Sequence, residues 1–263
     1  MLLKHTLYVI TGANRGFGKV IAETIAKNTK DAKTTLVLVG RDASQLESVQ
    51  LGTDTIACHH ISNANLNGAT EAQESVIDQL DKLLKTWREN DVAPITHAVL
   101  INNAGSIGDM SKKVAEYTTT EIQEYINTNV ISYSALVTGF LQLLNNGLVK
   151  LTIVNISSIV AVKAFPYTGL YSTGKAARDM LLQIVATEEP SVRTLNYAPG
   201  PLDNEMQKAV RETVGDAEQR ELYTKLKDEG KLVKMEDSAS KLWQLLLKDD
   251  YTSGSHIDYF DIA

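Results

Sequence analysis

In Tyr171-Ser172-Thr173-Gly174-Lys175 a phenol and an amine stand four positions apart, the spacing in this chain that most directly suggests chemistry. Positions i and i+4 share a helix face, so on a helix both side chains project into one space. A free phenol titrates near about 10 and is a weak acid at neutral pH. An ammonium about 4 Å away would favour the phenolate by about 4 kcal/mol at an effective dielectric of about 20, on the order of three pKa units before desolvation is subtracted. Such a pair can donate a proton to a carbonyl oxygen and recover one from solvent. Ser158 lies upstream at the end of the apolar run 151–158, where a hydroxyl can hydrogen-bond a substrate carbonyl and polarise it. Ser157 beside it reads as a strand-end hydroxyl.

A second group of residues suggests a phosphate-bearing ligand. Thr11-Gly12-Ala13-Asn14-Arg15-Gly16-Phe17-Gly18 follows a strand-like run and opens a helical pattern. Glycines let the backbone approach a pyrophosphate, and the helix N-terminus adds unpaired N–H donors and a positive dipole end. The spacing G-x-x-x-G-x-G predicts a dinucleotide site formed by Gly12, Asn14, Arg15, Gly16, Phe17 and Gly18. The next strand ends at Val39-Gly40-Arg41-Asp42. A site selective for NAD places an acidic residue there to hold the ribose hydroxyls. Here Gly40 takes that place, and Arg41 can converge with Arg15 on a 2′-phosphate, which predicts NADPH. Asp42 is grouped with these cofactor-facing residues.

These residues need a scaffold. Runs rich in Val, Ile and Leu at 6–11, 34–40, 55–60, 97–102, 151–157, 193–197 and 256–260 read as strands. Helical periodicity falls at 17–29, 42–50, 70–90, 119–145, 169–188 and 236–248. Strands that lack polar alternation, such as Leu36-Val37-Leu38-Val39, are expected to be buried on both faces. The alternation predicts an α/β fold: a doubly wound parallel seven-stranded sheet (a Rossmann fold) in one domain, 1–263. The charged, helix-prone stretch 204–231 reads either as a solvated helix pair or as a lid over the substrate. Chain inserted after a strand's C-terminal end lies beside the ligand crevice.

A net charge of −6 without any lysine/arginine block argues against a nucleic-acid partner. No apolar run approaches the ~20 residues that cross a bilayer, so no membrane span is expected. The opening Met-Leu-Leu-Lys-His leads directly into a strand and leaves no room for a signal peptide. Cys58 is the only cysteine, so no intrachain disulfide can form and the cytoplasm is the expected compartment. His59 and His60 are adjacent on a strand, point to opposite faces and predict no metal site.

Taken in order, the glycine loop, Asn102-Asn103-Ala104-Gly105, Asn129, Ser158, Tyr171 with Lys175, and Pro199-Gly200-Pro201-Leu202 resemble the pattern of the short-chain dehydrogenases/reductases. The resemblance implies a catalytic tetrad of Asn129, Ser158, Tyr171 and Lys175, with Asn129 holding a water in the proton relay. It implies cofactor contacts from Asn103, Ala104, Gly105, Tyr171, Lys175, Pro199, Gly200 and Leu202. Asn102 reads as much as a sheet-stabilising residue as a cofactor contact. Longer stretches at 11–18, 100–109, 174–180, 195–203 and 253–258 are similar to members that reduce side-chain carbonyls of pterins, whereas 42–95 matches poorly. That similarity implies a substrate site of Ser158, Tyr171, the Gly200 backbone and Asp258, whose carboxylate would accept two parallel N–H bonds from the pterin's amino-pyrimidinone edge. It also implies a homodimer built on the helices at 119–145 and 169–188, with Gly174 in the close helix packing there. One position departs from the pattern: His60 stands where many members carry an aspartate that contacts the adenine. Two rival expectations are a general carbonyl reductase of the same family and a non-catalytic NADPH sensor. Such sensors usually lose the Tyr or Lys that this chain keeps.

Overall fold

The computed structural model describes residues 5–29, 33–90 and 92–262. The reading of the opening residues 1–4 as a short lead into the first strand lies outside them. The chain alternates strand and helix: β1 (His5–Thr11), α1 (Gly16–Asn28), β2 (Lys33–Val39), α2 (Ala43–Glu47), β3 (Ile56–Ile61), α3 (Ala69–Ala72), α4 (Asp78–Glu89), β4 (His97–Asn102), α5 (Thr119–Ile126), α6 (Ser132–Leu144), β5 (Lys150–Ile156), α7 (Gly169–Glu188), β6 (Val192–Ala198), α8 (Glu205–Thr213), α9 (Ala217–Asp228), α10 (Met235–Lys248) and β7 (His256–Asp258). The strands form one seven-stranded sheet in the order β3-β2-β1-β4-β5-β6-β7, and every pairing is parallel. The order reverses between β1 and β4, the switch point where such sheets open a ligand crevice at the strands' C-terminal ends.

Both faces of the sheet are buried, which explains the unalternated strands. Leu36 and Leu38 pack on one side with α1 and α10, while Val37 and Val39 pack on the other with α4, α6 and α7. The predicted doubly wound parallel sheet is therefore what the chain forms.

Element limits differ from the sequence reading where side chains intervene. The helix expected at 42–50 ends at Glu47, because the chain turns there to bury Val49. The strand expected at 256–260 stops at Asp258. Its carboxylate accepts the N–H of Phe260 (3.0 Å) and Asp261 reciprocates to the N–H of Asp258 (2.9 Å), which winds 259–261 into a 3₁₀ turn. The long helices expected at 70–90 and 119–145 are each interrupted by a π-turn, at Gln73–Ile77 and Asn127–Ile131.

Candidate active site

The glycine loop bridges β1 and α1 at the switch point and is docked onto the end of β4. Asn103 donates from Nδ2 to the carbonyls of Thr11 (3.0 Å) and Gly12 (3.3 Å). In return, the Thr11 hydroxyl accepts the N–H groups of Asn103 and Ala104, each at 3.0 Å. Gly12, with φ +65°, lies so close to Ala104 that a Cβ there would be 3.2 Å from its Cα. Asn103 and Ala104 are thereby held beside the loop. Phe17 and Leu202 are different: both side chains are turned into the core, leaving only their backbones for a ligand.

Arg15 and Arg41 are both exposed, and neither forms an ion pair or hydrogen bond among the described residues. Arg15 is the extended N-cap residue of α1, whose first turn carries no acidic side chain. Asp42 caps α2, its Oδ1 accepting from the Gln45 N–H (2.9 Å) and the Ser44 hydroxyl (2.8 Å), and these bonds hold its carboxyl below the usual range. Asn14 donates to Gln45 Oε1 (3.0 Å). His60 bonds the Val49 carbonyl through Nε2 (3.0 Å), and His59 leaves the opposite face to stack on Trp87 (centroids 4.9 Å apart).

Across the crevice, α7 presents Tyr171 and Lys175 on one face. Lys175 is buried and donates from Nζ to the Ile156 carbonyl at the end of β5 (2.6 Å). Ser158, two residues beyond that carbonyl, starts the 3₁₀ turn Ile159–Ala161 and accepts from the Val160 N–H. Its hydroxyl alongside the Tyr171 phenol favours the phenolate, but burial is the larger effect and raises the phenol above its ordinary 10.0. Here the structure corrects the electrostatics expected from sequence. The Lys175 nitrogen is 5.8 Å from the Tyr171 ring centroid, and its own pKa falls well below 10.5 through burial first and the neighbouring Arg178 charge second. Burial and the neighbouring guanidinium both disfavour the ammonium form of Lys175, and burial favours the neutral phenol of Tyr171.

Asn129 sits in the π-turn between α5 and α6 and is 3% exposed. A π-turn frees carbonyls that a regular helix would use. Asn129 takes one of them, donating from Nδ2 to Tyr125 O (3.0 Å) and Ser106 Oγ (3.1 Å), while its Oδ1 accepts the Ser106 N–H (2.8 Å). Gly174 has a reason within the chain: a Cβ there would stand 2.8 Å from the Tyr125 ring. The close helix packing assigned to it is between α7 and α5 of one molecule and needs no second copy.

Asp258 pairs with Ala198 in the β6–β7 register, next to Pro199 and Gly200. His256, two residues earlier on β7, reaches Asp179 of α7 (2.6 Å), so by strand alternation Asp258 leaves the sheet on the α7 side as well. The Pro199 carbonyl accepts from Ser238 (3.0 Å). Over this edge lies the 204–231 segment as two helices. It is docked through the Gly215 N–H to Met110 O (2.9 Å), Gln219 to Pro166 O (2.8 Å) and Lys227 to Asp203 (2.8 Å). Tyr223 of α9 is near enough to disfavour charge on the Tyr171 phenol.

Comparison with known proteins now settles the family. Residues 6–215 match the family model described as short chain dehydrogenase. The chain belongs to the short-chain dehydrogenases. It is 41% identical over 258 residues to the sepiapterin reductase of Meriones unguiculatus, covering 96% of this chain and 95% of that one. The sepiapterin reductase of Rattus norvegicus is 40% identical over 259 residues, covering 97% and 96%. A solved short chain dehydrogenase/reductase from Saccharomyces cerevisiae superposes with a TM-score of 0.79 at 25% identity, over 97% of this chain and 96% of that one.

Sequence reasoning missed part of this short-chain dehydrogenase's site. Arg178 and Asp179, one turn beyond Lys175, are 2% and 3% exposed, and Asn155, Asn196 and His256 join them in a buried polar network. The signal available was two adjacent charges on a helix face that already carried Lys175.

Proposed function

We propose that the chain is an NADPH-dependent reductase of pterin side-chain carbonyls, converting sepiapterin to dihydrobiopterin and 6-pyruvoyl-tetrahydropterin to tetrahydrobiopterin. The observation that carries this reading is Asp258, which leaves the sheet on the side of Tyr171 and Lys175. Its carboxylate caps the 259–261 turn by accepting backbone N–H groups, and a carboxylate keeps further lone pairs that a pterin edge can use. The sepiapterin reductases that match over nearly the whole chain support the same substrate class.

The cofactor site fits NADPH: the loop backbone is open to a pyrophosphate, and two unpaired guanidiniums flank the end of β2. When bound, NADPH supplies a hydride. Gly12, Asn14, Arg15, Gly16, Phe17, Gly18, Arg41 and Asp42 would hold the adenosine and phosphate end, with Asn103, Ala104, Gly105, Pro199, Gly200 and Leu202 under the nicotinamide end. Ser158 orients the substrate carbonyl, and Tyr171, a protonated phenol, donates the proton to its oxygen. Lys175 and a water held by Asn129 relay the replacement proton inward from solvent. The segment 204–231 acts as the lid, supported by its docking on Met110 and Pro166. We read the working form as a cytoplasmic homodimer, supported by the exposed apolar side chains of Ile131, Met180 and Ile184 on the α6–α7 surface.

The test is Asp258→Ala assayed with sepiapterin and with a simple diketone. Loss of pterin turnover with the diketone rate retained supports the anchor. Equal loss on both substrates assigns Asp258 a structural role and leaves a general carbonyl reductase.

A further inference from the structure

We propose that Arg178 is a positioning residue for the catalytic centre: its buried guanidinium holds the floor of the cofactor site in place and sets a permanent positive charge one helical turn from Lys175. The clamp is geometric. Nη1 donates to Ala104 O (3.0 Å), Nη2 to Asn102 O (2.8 Å) and Nε to Asn155 Oδ1 (2.8 Å), so one planar fork joins the ends of β4 and β5. Its face stacks on Tyr133 of α6, 4.3 Å from the ring centroid. The fit at the floor is close: a Cβ on Gly105 would lie 3.2 Å from both Arg178 Nη1 and Asn129 Oδ1. A buried arginine normally pairs with a carboxylate. Here Asp179 is the only buried acid of the group, and it is engaged elsewhere, accepting from Ser157 (2.6 Å), Asn155 (2.8 Å) and His256 (2.6 Å). The Asn155 amide stands between the two charges, accepting from Arg178 and donating to Asp179. The guanidinium charge is thus not cancelled by direct contact and acts on its neighbours.

Those neighbours are the catalytic residues. Among the described residues the charged and titratable groups around Lys175 are Arg178, Asp179 and Tyr171 on α7, with the Ile156 carbonyl from β5. Around Arg178 they are Tyr133 of α6, Tyr125 of α5, and Asp179 and Tyr171 of α7, with His256 of β7 behind Asp179. Arginine keeps its charge at every pH the protein meets, so it opposes an ammonium on Lys175 and stabilises charge on the Tyr171 phenol. A lysine that exchanges its proton readily is a better relay than one locked as an ion.

The inference uses the proposed reductase reading for its consequence but not for its test. Carbon NMR titration of the lysine ε-methylene groups, with Lys175 assigned through Lys175→Arg, reads the amine without cofactor or substrate. Arg178→Met should move the Lys175 titration to higher pH. Arg178→Lys, which keeps a charge but loses the fork, should leave it near its native position while weakening NADPH binding. If Arg178→Met does not fold, Arg178→Gln retains a donor for Ala104 O and should give the same upward shift. An unmoved Lys175 titration in the neutral variant, or the same shift in Arg178→Lys, would overturn the proposal and leave Arg178 a packing residue.

Discussion

A Cβ at Gly18 would stand 2.4 Å from the carbonyl oxygen of Gly12, a separation that side chains do not adopt. The first turn of α1 therefore presses directly on the loop that precedes it, and Asn103 Nδ2, 2.5 Å from the same point, leaves no room for retreat. Gly18→Ala should force the loop away from Asn103 and raise the NADPH dissociation constant at least tenfold, with a loss of about 1–3 kcal/mol in stability. Cofactor titration by fluorescence, beside a thermal melt, measures both.

The proposed NADPH site assigns cofactor selectivity to Arg15 and Arg41, both exposed and unpaired among the described residues. Removing either guanidinium from a 2′-phosphate deletes a charge-assisted bond of about 1.5–3 kcal/mol, on the order of tenfold to a hundredfold in binding. Arg41→Ala and Arg15→Ala should each raise the NADPH KM by that factor and leave the NADH KM nearly unchanged. A parallel rise for both cofactors would mean that neither side chain reads the phosphate.

Packing of the 204–231 segment against the 165–167 loop depends on a bare backbone at Gly215. A Cβ there would meet the Tyr167 ring at 2.2 Å and Ser111 O at 2.8 Å. Gly215→Val should prop the two helices away from the 165–167 loop, raising substrate KM severalfold with little change in NADPH affinity. Steady-state kinetics with each ligand varied in turn separates the two.

How much of this was legible in sequence depended on distance along the chain. The glycine loop and the Tyr171/Lys175 pair are local patterns, and the structure sets each on the expected element. Lys175's partner at Ile156 and the Asp179–His256 contact join residues far apart in sequence and leave no periodic trace. The π-turn that aims Asn129 is likewise invisible, because its residues are ordinary helix formers. The sign of the Tyr171 shift was misjudged because Coulomb attraction can be read from spacing, whereas desolvation exists only once the helix is packed. His60 and Phe17 stand where the pattern expects ligand contacts, but one side chain turns to Val49 and the other into the core.

Buried phenols make alkaline stability testable. Burial pushes Tyr8 and Tyr251 from 10.0 up to about 12. The folded chain then keeps protons that the unfolded chain releases above pH 10, so stability present below that pH is lost as pH rises toward 12. The slope is about 1.4 kcal/mol per pH unit for each phenol. Among the described residues the Tyr251 hydroxyl is also buried without a well-formed hydrogen bond, with the Arg193 guanidinium beside it and 4.5 Å from the ring centroid. Tyr251→Phe keeps the ring and removes an unsatisfied group, so it should raise Tm slightly at pH 8 and more at pH 11. A lower Tm at both values would show that the hydroxyl is bonded.

The central claim is tested most directly by steady-state NADPH oxidation with sepiapterin, run beside NADH and a simple diketone. Efficient turnover of sepiapterin with a strong preference for NADPH is the expected result, abolished in Tyr171→Phe while NADPH still binds. Turnover of the diketone but not of the pterin, or equal use of NADH, would contradict it.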